Sequence, residues 1–479
     1  MAGIVSYGAY IPFYRLPRAA INAAWGRPGG SGELATANHD EDSVTMAVAA
    51  GMDCMKGVDP KTVDALLLAT TSAPYKERLN ATMVATSLDF REDARNADFS
   101  NCLRAGTLAM LSAMDAINAL SLKSVMVAAA DIRLGGASGE NELSFGNGAA
   151  ALLLGNENVI AGVEGSYTLS EDFPDHYRAS ADTFVRSAED RWGLDEGYMH
   201  FPVEAAAQVM KNCRLAPKDF AKACFYGPNT RRHAELGRRM GFKPEQIQEP
   251  LLDMVGNTGT ALPLMILVAA LEEAKPGDRI LLVSHGNGSD AMVLRVTEKI
   301  AKMGHRRGIR DHLKMKRALD NYQKHLRWRE MLPLEAQARP EREATSLPSL
   351  WRERRSAMAL YGAKCKKCGT PQMFLDFVSA RPHVCLECFA KDEFEPYRFA
   401  GRRGKVASFS HDYLAISQDP PNTLTVVDFE GGGRGHFEMT DRDPQECQVG
   451  MSVEMTFRKL FTSARGIHNY FWKCKPARD

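Results

Sequence analysis

The sequence has no window long and apolar enough to span a bilayer, and its opening residues, Met1-Ala-Gly-Ile-Val-Ser-Tyr-Gly, hold no basic segment followed by an apolar one. Neither a membrane span nor a secretory leader is expected, and the chain reads as cytoplasmic. An excess of one charge is also missing, since 60 Lys and Arg face 59 Asp and Glu for a formal net charge of +1. That balance gives no electrostatic case for a nucleic-acid partner. Cysteine is sparse. Ten in 479 residues exclude the dense disulfide framework of small secreted domains, and four of them fall in two C-x-x-C pairs, which in a reducing compartment point to metal.

What is present is an ordinary globular composition, 44% hydrophobic and 25% charged, in a chain longer than one hydrophobic core usually serves. Two or three domains are expected. Up to about residue 298, short aliphatic runs alternate with amphipathic segments, as in Val63-Asp-Ala-Leu-Leu-Leu-Ala, Ala105 to Leu120 and Ser124-Val-Met-Val-Ala-Ala-Ala. This is the order of an α/β domain. The beat returns with the strand Ala221-Lys-Ala-Cys-Phe-Tyr-Gly, the apolar helix Leu262 to Ala274 and the strand Arg279-Ile-Leu-Leu-Val-Ser, as expected of two similar halves. From Lys299 to about Arg329 the chain turns to Lys, Arg and His, and a Pro- and Glu-containing stretch follows. Residues 299–355 are thus expected to be a basic, partly helical linker, either a solvated face or a surface for the phosphates of a nucleotide-bearing substrate.

Cys365-Lys-Lys-Cys368 and Cys385-Leu-Glu-Cys388 enclose sixteen residues, the spacing of two knuckles that bring four thiolates to one tetrahedral ion. Cys365, Cys368, Cys385 and Cys388 are therefore expected to bind a structural zinc in a rubredoxin-like ribbon over residues 356–395. Such a site has no open coordination position and stabilises a fold without doing chemistry. Residues 396–479 show short strand-like runs, Lys405-Val-Ala-Ser-Phe-Ser and Thr423-Leu-Thr-Val-Val-Asp-Phe, around the Gly-rich turn Glu430-Gly-Gly-Gly-Arg-Gly. A small closed β-barrel is expected there.

The segments Tyr7-Gly-Ala-Tyr-Ile-Pro-Phe-Tyr-Arg, Asp40-Glu-Asp-Ser-Val-Thr-Met-Ala and Gly256-Asn-Thr-Gly-Thr-Ala resemble the 3-hydroxy-3-methylglutaryl-CoA synthase family of the thiolase superfamily, over about the first 300 residues. The tail from about Leu350, with Gly450-Met-Ser-Val-Glu-Met-Thr-Phe-Arg and His468-Asn-Tyr-Phe-Trp-Lys, resembles the small zinc-ribbon and OB-fold proteins that accompany thiolase-like enzymes. The first resemblance implies a doubled βαβαβαββ fold over residues 1–298, a homodimer formed by that domain, and a site where cysteine, histidine and glutamate act on a coenzyme A thioester.

Carried over residue by residue, the pattern changes. Cys102 is the candidate nucleophile, preceding a helix whose N-terminus would lower its pKa, but it lies one residue early relative to Gly106-Thr107, so Leu103 takes the slot in an ungapped match. Thr71 stands where the family has its glutamate, and Glu77 nearby reads as a solvated surface residue. In Phe225-Tyr-Gly-Pro-Asn, Tyr226 replaces the family's histidine and can donate a hydrogen bond or exchange a proton. Asn257 offers an amide for a thioester carbonyl, and the loop Ser284-His-Gly-Asn-Gly-Ser-Asp brings His285 in as an acid/base candidate. Asp131 and His233 complete the set.

The expected function is an acyl-CoA enzyme that cleaves or forms carbon–carbon bonds, read first as an aldolase or lyase on a β-hydroxyacyl-CoA because the synthase's acid/base positions have changed. The alternative is a Claisen-type acyltransferase using Cys102, and a third reading is a non-catalytic acyl-CoA-binding scaffold. An OB-fold alone can bind oligonucleotides, but the neutral bulk charge argues against that use here.

Overall fold

A computed structural model of the chain describes residues 2–319, 321–335, 346–373 and 383–478. It divides into two compact units. The first comprises Met1–Ala37, Asp42–Ala85 and Phe90–His325, and the second Asn38–Glu41, Thr86–Asp89 and Leu326–Asp479. No helix among the described residues is long and apolar enough to cross a membrane.

The first unit is built twice from one pattern. Its first half runs β1 (Gly3–Tyr10), α1 (Ser43–Cys54), β2 (Ala65–Ala69), α2 (Asn80–Ser87), β3 (Arg95–Phe99), α3 (Ala105–Asn118), β4 (Ser124–Asp131) and β5 (Gly148–Gly155). The second runs β6 (Ala161–Ser170), α4 (Phe201–Cys213), β7 (Lys222–Phe225), α5 (Thr230–Arg239), α6 (Leu262–Leu271), β8 (Arg279–Val283) and β9 (Gly288–Val296). All nine strands share one sheet in the order β7-β8-β9-β6-β1-β5-β4-β2-β3. The halves join where β1 pairs antiparallel with β6, Gly3 opposite Gly162 and Ile4 opposite Ala161. The counterpart of β3 in the second half has shrunk to a single parallel bridge, Ile247 to Ala223. With that bridge counted, each half is βαβαβαββ.

Sequence explains this layering. The parallel strands β2 and β4 are near-continuous apolar runs because helices cover both faces. All ten residues of α6 are buried, which accounts for a helix that is hydrophobic on every side. Gly8 lets β1 approach α1, since a Cβ there would lie 2.3 Å from Cys54 N and 2.4 Å from Ala50 O.

The basic run expected as a linker from residue 299 is instead part of the first unit through His325. Its helix α7 (Gly308–Lys314) buries Ile309 and His312. The side chain of Glu272 caps it by accepting from Ile309 N at 2.5 Å and Arg310 N at 3.1 Å. Burial pushes the Glu272 carboxyl up to about 7. Sequence composition missed this packing because the buried residues are few and widely spaced among the charges.

In the second unit, β10 (Tyr361–Cys365), β11 (Pro371–Gln372) and β12 (Phe394–Arg398) form a three-stranded sheet that carries the cysteine knuckles. Then β13 (Arg403–Asp412), β14 (Asn422–Phe429), β15 (Arg434–Glu438), β16 (Ser452–Thr462) and β17 (His468–Pro476) form a sheet ordered β15-β14-β13-β16-β17. A bridge from Met439 to Cys474 curls its two edges together, as an OB-fold requires. Inside this unit Arg458 is fully buried among three carboxylates, Asp40 at 3.1 Å, Glu41 at 2.7 Å and Asp441 at 2.5 Å. Lys473 reaches Asp40 at 3.0 Å and Glu438 at 2.9 Å. Burial alone would raise the Asp40 carboxyl, but Lys473 and Arg458 outweigh it and hold it well below the usual range.

Arg458→Met would leave buried carboxylates uncompensated, and a loss of about 3–5 kcal/mol is expected in denaturant titrations of the second unit. Because the folded pKa of Asp40 is depressed, its contribution is present above its ordinary value near 3.9 and is lost as pH falls below it. Acid unfolding followed by circular dichroism, wild type against Asp40→Asn, checks that sign.

Candidate functional site

A cavity of about 1010 Å³ opens in the first unit, where Tyr226, Asn257 and His285 all reach its wall. Three sequence-predicted residues from separate segments thus share one space, at the upper end of the roughly 300–1,000 Å³ typical of small-molecule sites. Tyr226 follows β7 and Asn257 lies in the turn before α6. His285 follows β8.

Asn257 Nδ2 donates to Tyr226 Oη at 2.7 Å, and its Oδ1 accepts from Gly259 N at 3.0 Å, which fixes the orientation of the amide. Tyr198, brought in by the π-helical turn Gly193–Tyr198, donates its hydroxyl to Tyr226 O at 3.0 Å. Burial pushes the Tyr226 phenol above its ordinary pKa, so the group is a neutral donor near pH 7. His285 Nε2 lies 3.2 Å from Asp175 Oδ2, and His176 Nδ1 is also 3.2 Å from that oxygen. His285 Nδ1 is buried without a hydrogen-bond partner among the described residues. Burial raises the Asp175 carboxyl, but hydrogen bonds from His176 and His285 overcome it and hold the group ionised.

Asp175, His176 and Tyr198 were not legible in sequence. They lie between β6 and α4, where the only strands are two-residue pairs with no periodicity to read. The loop carrying His285 is tight: Gly286 has φ 149°, and a Cβ there would lie 3.1 Å from Leu103 Cβ.

The remaining candidates lie elsewhere. Cys102 is not in the cavity wall, and its thiol donates to Gly286 O at 3.1 Å. Its pKa is raised, chiefly by burial, which corrects the expectation that a helix N-terminus lowers it. The helix begins at Ala105, three residues on. Asp131 accepts six hydrogen bonds, from Thr70 and Ser72 side chains and from both the amide and hydroxyl of Thr71 and of Thr260. It is a buried tie between segments. Thr71, in the glutamate slot, spends its hydroxyl on that tie, and Glu77 is exposed. His233 is buried against the Phe225 ring at 4.0 Å, and burial pushes its pKa down to about 4.

The four ribbon cysteines come together in the second unit, their sulfur atoms all within 4.8 Å of one another. Cys365 and Cys388 Sγ are 3.6 Å apart, Cys368 and Cys385 Sγ 3.5 Å. A tetrahedral zinc with Zn–S near 2.3 Å spaces its sulfurs by about 3.8 Å, so the set fits that ion. The two knuckles repeat one geometry, Gly369 N donating to Cys365 O at 2.9 Å and Phe389 N to Cys385 O at 3.0 Å. Both closing residues take the left-handed region, Gly369 with φ 77° and Phe389 with φ 59°. Gln372 Nε2 adds a donor 3.2 Å from Cys385 Sγ.

Residues 397–458 match the family described as ChsH2, C-terminal OB-fold domain. Residues 210–296 match 3-oxoacyl-[acyl-carrier-protein (ACP)] synthase III C terminal. The hydroxymethylglutaryl-CoA synthase of Methanopyrus kandleri is 34% identical over 313 residues, covering 63% of this chain and 89% of its own. That of Pyrococcus horikoshii is 32% identical over 327 residues, 66% of this chain and 93% of its own. A solved HMG-CoA synthase complexed with CoA superposes with a TM-score of 0.62 at 20% identity, over 70% of this chain and 91% of the other. The 3-oxoacyl-[acyl-carrier-protein] synthase III of Aquifex aeolicus gives 0.56 at 19% identity, over 62% and 100%. These matches and the doubled topology define a thiolase-like α/β domain fused to a zinc-ribbon and OB-fold module. The chain belongs to the hydroxymethylglutaryl-CoA synthase family.

Because burial disfavours its thiolate, Cys102 should react with iodoacetamide more slowly at neutral pH than a thiol of ordinary pKa near 8.5. Peptide mass spectrometry over a time course measures this, and a rate matching or exceeding that of a free thiol would reveal a stabilised thiolate.

Proposed function

We propose that the chain is an acyl-CoA-dependent condensing enzyme, forming a carbon–carbon bond between a coenzyme A thioester and a carbonyl partner. The observation that carries this reading is the meeting of the His285–Asp175 and Tyr226–Asn257 pairs in one cavity of a hydroxymethylglutaryl-CoA synthase-family fold. The family supports condensation over the aldol cleavage expected from the sequence. His285, with Nε2 on Asp175, has Nδ1 available to take the α-proton of a thioester. The carbanion's electron pair forms the new bond to the partner's carbonyl carbon, whose oxygen receives the Tyr226 proton. Asn257 then stabilises the phenolate by donating to its oxygen.

Run in reverse, the same steps cleave a β-hydroxyacyl-CoA without an acyl-enzyme; the second reading is a Claisen-type route through an acyl-Cys102, which the Cys102 geometry disfavours. A covalent Claisen route requires that thiol to leave Gly286 O and lose its proton against burial. A third reading, a non-catalytic acyl-CoA-binding scaffold, would show binding by calorimetry and no turnover. The zinc ion proposed for Cys365, Cys368, Cys385 and Cys388 supplies fold stability only. The proposed assembly is a homodimer of the thiolase-like unit, testable by sedimentation, and the proposed setting is the cytoplasm, where the six cysteines outside the ribbon stay as thiols.

In turnover assays with panels of acyl-CoAs, His285→Asn and Tyr226→Phe are each expected to lower kcat by about 10²–10⁴-fold while leaving the fold intact. Activity unaffected by both would overturn the assignment. Cys102→Ser separates the routes: retained activity removes the covalent one, whereas complete loss with an acyl adduct on wild-type Cys102 removes the aldol one. Elemental analysis should give one zinc per chain, and Cys365→Ser with Cys388→Ser should release it and lower the melting temperature of the second unit.

A further inference from the structure

Arg133 lies two residues beyond the end of β4 and is 5% exposed. Its guanidinium stacks 4.1 Å from the centroid of the Phe145 ring. Among the described residues no carboxylate pairs with it, and its Nη1 has no hydrogen-bond partner. A buried cation with no counterion is expensive to keep, so its surroundings should explain its presence. Phe145 is bridged to Asn257, whose N donates to Ser144 O at 2.8 Å and whose O accepts from Gly146 N at 3.1 Å. The same asparagine donates to Tyr226 Oη at 2.7 Å. Through this chain of contacts the guanidinium's positive charge favours the Tyr226 phenolate. Arg133, Phe145, Asn257 and Tyr226 thus form one connected group, of which the last three line the cavity and Arg133 does not.

We propose that Arg133 is a positioning residue that commits Tyr226 to donating its proton into the cavity. This rests on the reading of Tyr226 as the proton donor. Asn257 Nδ2 is a donor aimed at the phenol oxygen, and the guanidinium carries only donors, so neither can accept the Tyr226 proton. The O–H has to find its acceptor elsewhere, and the cavity is where Tyr226 is open. When the proton passes from Tyr226 Oη to the substrate alkoxide, the phenolate left behind is held by Asn257 Nδ2, and Arg133 supplies the balancing positive charge. In the reverse direction the phenolate takes a hydroxyl proton. The other titratable groups around Tyr226 are Asp175, Tyr198 and His285, the rings of the last two 6.4 and 6.2 Å away. Asp175 opposes the phenolate and Arg133 favours it.

The test uses the full chain, without substrate, with a fluorinated tyrosine at position 226 so that its ionisation falls within the range where the protein stays folded. Ultraviolet absorbance against pH reads that one group. Arg133→Met should move its ionisation upward by about one pH unit or more, a tenfold loss of phenolate at a given pH. Arg133→Lys, which keeps the charge, should restore most of the shift. With natural tyrosine, Arg133→Met should lower kcat by about tenfold or more with KM for the thioester little changed. Should Arg133→Met unfold the protein, the Arg133→Gln variant and the Arg133→Lys rescue supply the same comparison. Ionisation at an unchanged pH in a folded, charge-removed variant overturns the proposal. Absence of turnover with every thioester overturns the parent reading instead, because the titration requires no substrate.

Discussion

The candidate site rests on one buried carboxylate that does not line its cavity. Asp131, at the end of β4, gathers Thr70, Thr71 and Ser72 from the end of β2 and Thr260 from the start of the α6 segment, which belongs to the other half. Six donors drawn from both halves satisfy this buried carboxylate without a cation. Thr260 follows Gly259, whose amide fixes Asn257, which in turn holds Tyr226. A second buried tie runs the opposite way, from Arg104 before α3 to Asp290 in β9 at 2.7 Å, with Thr107 donating to the same carboxylate at 2.6 Å. Asp131 and Asp290 thus each tie one duplicated half to the other.

Sequence carried the parts of this molecule that obey local rules. Cysteine spacing announced the ribbon because four thiolates on one ion impose geometry on the chain within a few residues. Apolar runs announced the strands, and the α/β alternation announced the duplication, although the second half's counterpart of β3 is only the bridge at Ile247. Tyr226, Asn257 and His285 were visible as departures from or matches to a family pattern. Their partners were not. Asp175 and His176 sit in a polar connection whose composition resembles any surface loop, and only the closed fold brings them to His285. Arg133 was invisible for a related reason, since an arginine three residues before Gly136 in a loop reads as solvated until its burial is known.

The segment Asp40-Glu41-Asp42 illustrates how one motif can serve two units. Asp42 caps α1, accepting from Thr45 N while the Thr45 hydroxyl accepts from Asp42 N. Asp40 and Glu41 belong to the second unit, where Arg458 and Lys473 neutralise them. A motif read as part of the thiolase-like domain therefore contributes two of the carboxylates on which the buried charges of the OB-fold unit depend. Buried ion clusters of this kind add little net stability when complete but are costly to break, so their effect is to specify which residues must come together.

Family membership fixes the frame of the reaction without fixing its proton inventory. A histidine at position 226 would titrate near neutrality and could act as base or acid. The phenol found there stays protonated, because burial raises its pKa, and is therefore a donor in the resting state. On the proposed reading the base comes from another strand end, where His285 stands with its Nε2 tied to an ionised Asp175. Tyr226 and His285 follow β7 and β8, two parallel neighbours paired through Phe225 and Val283. With the proton donor and acceptor both available from side chains in the cavity, bond formation can proceed while Cys102 remains a neutral thiol on Gly286 O. The proposed reading thus places the chemical demand on an acid–base pair and not on a thiolate.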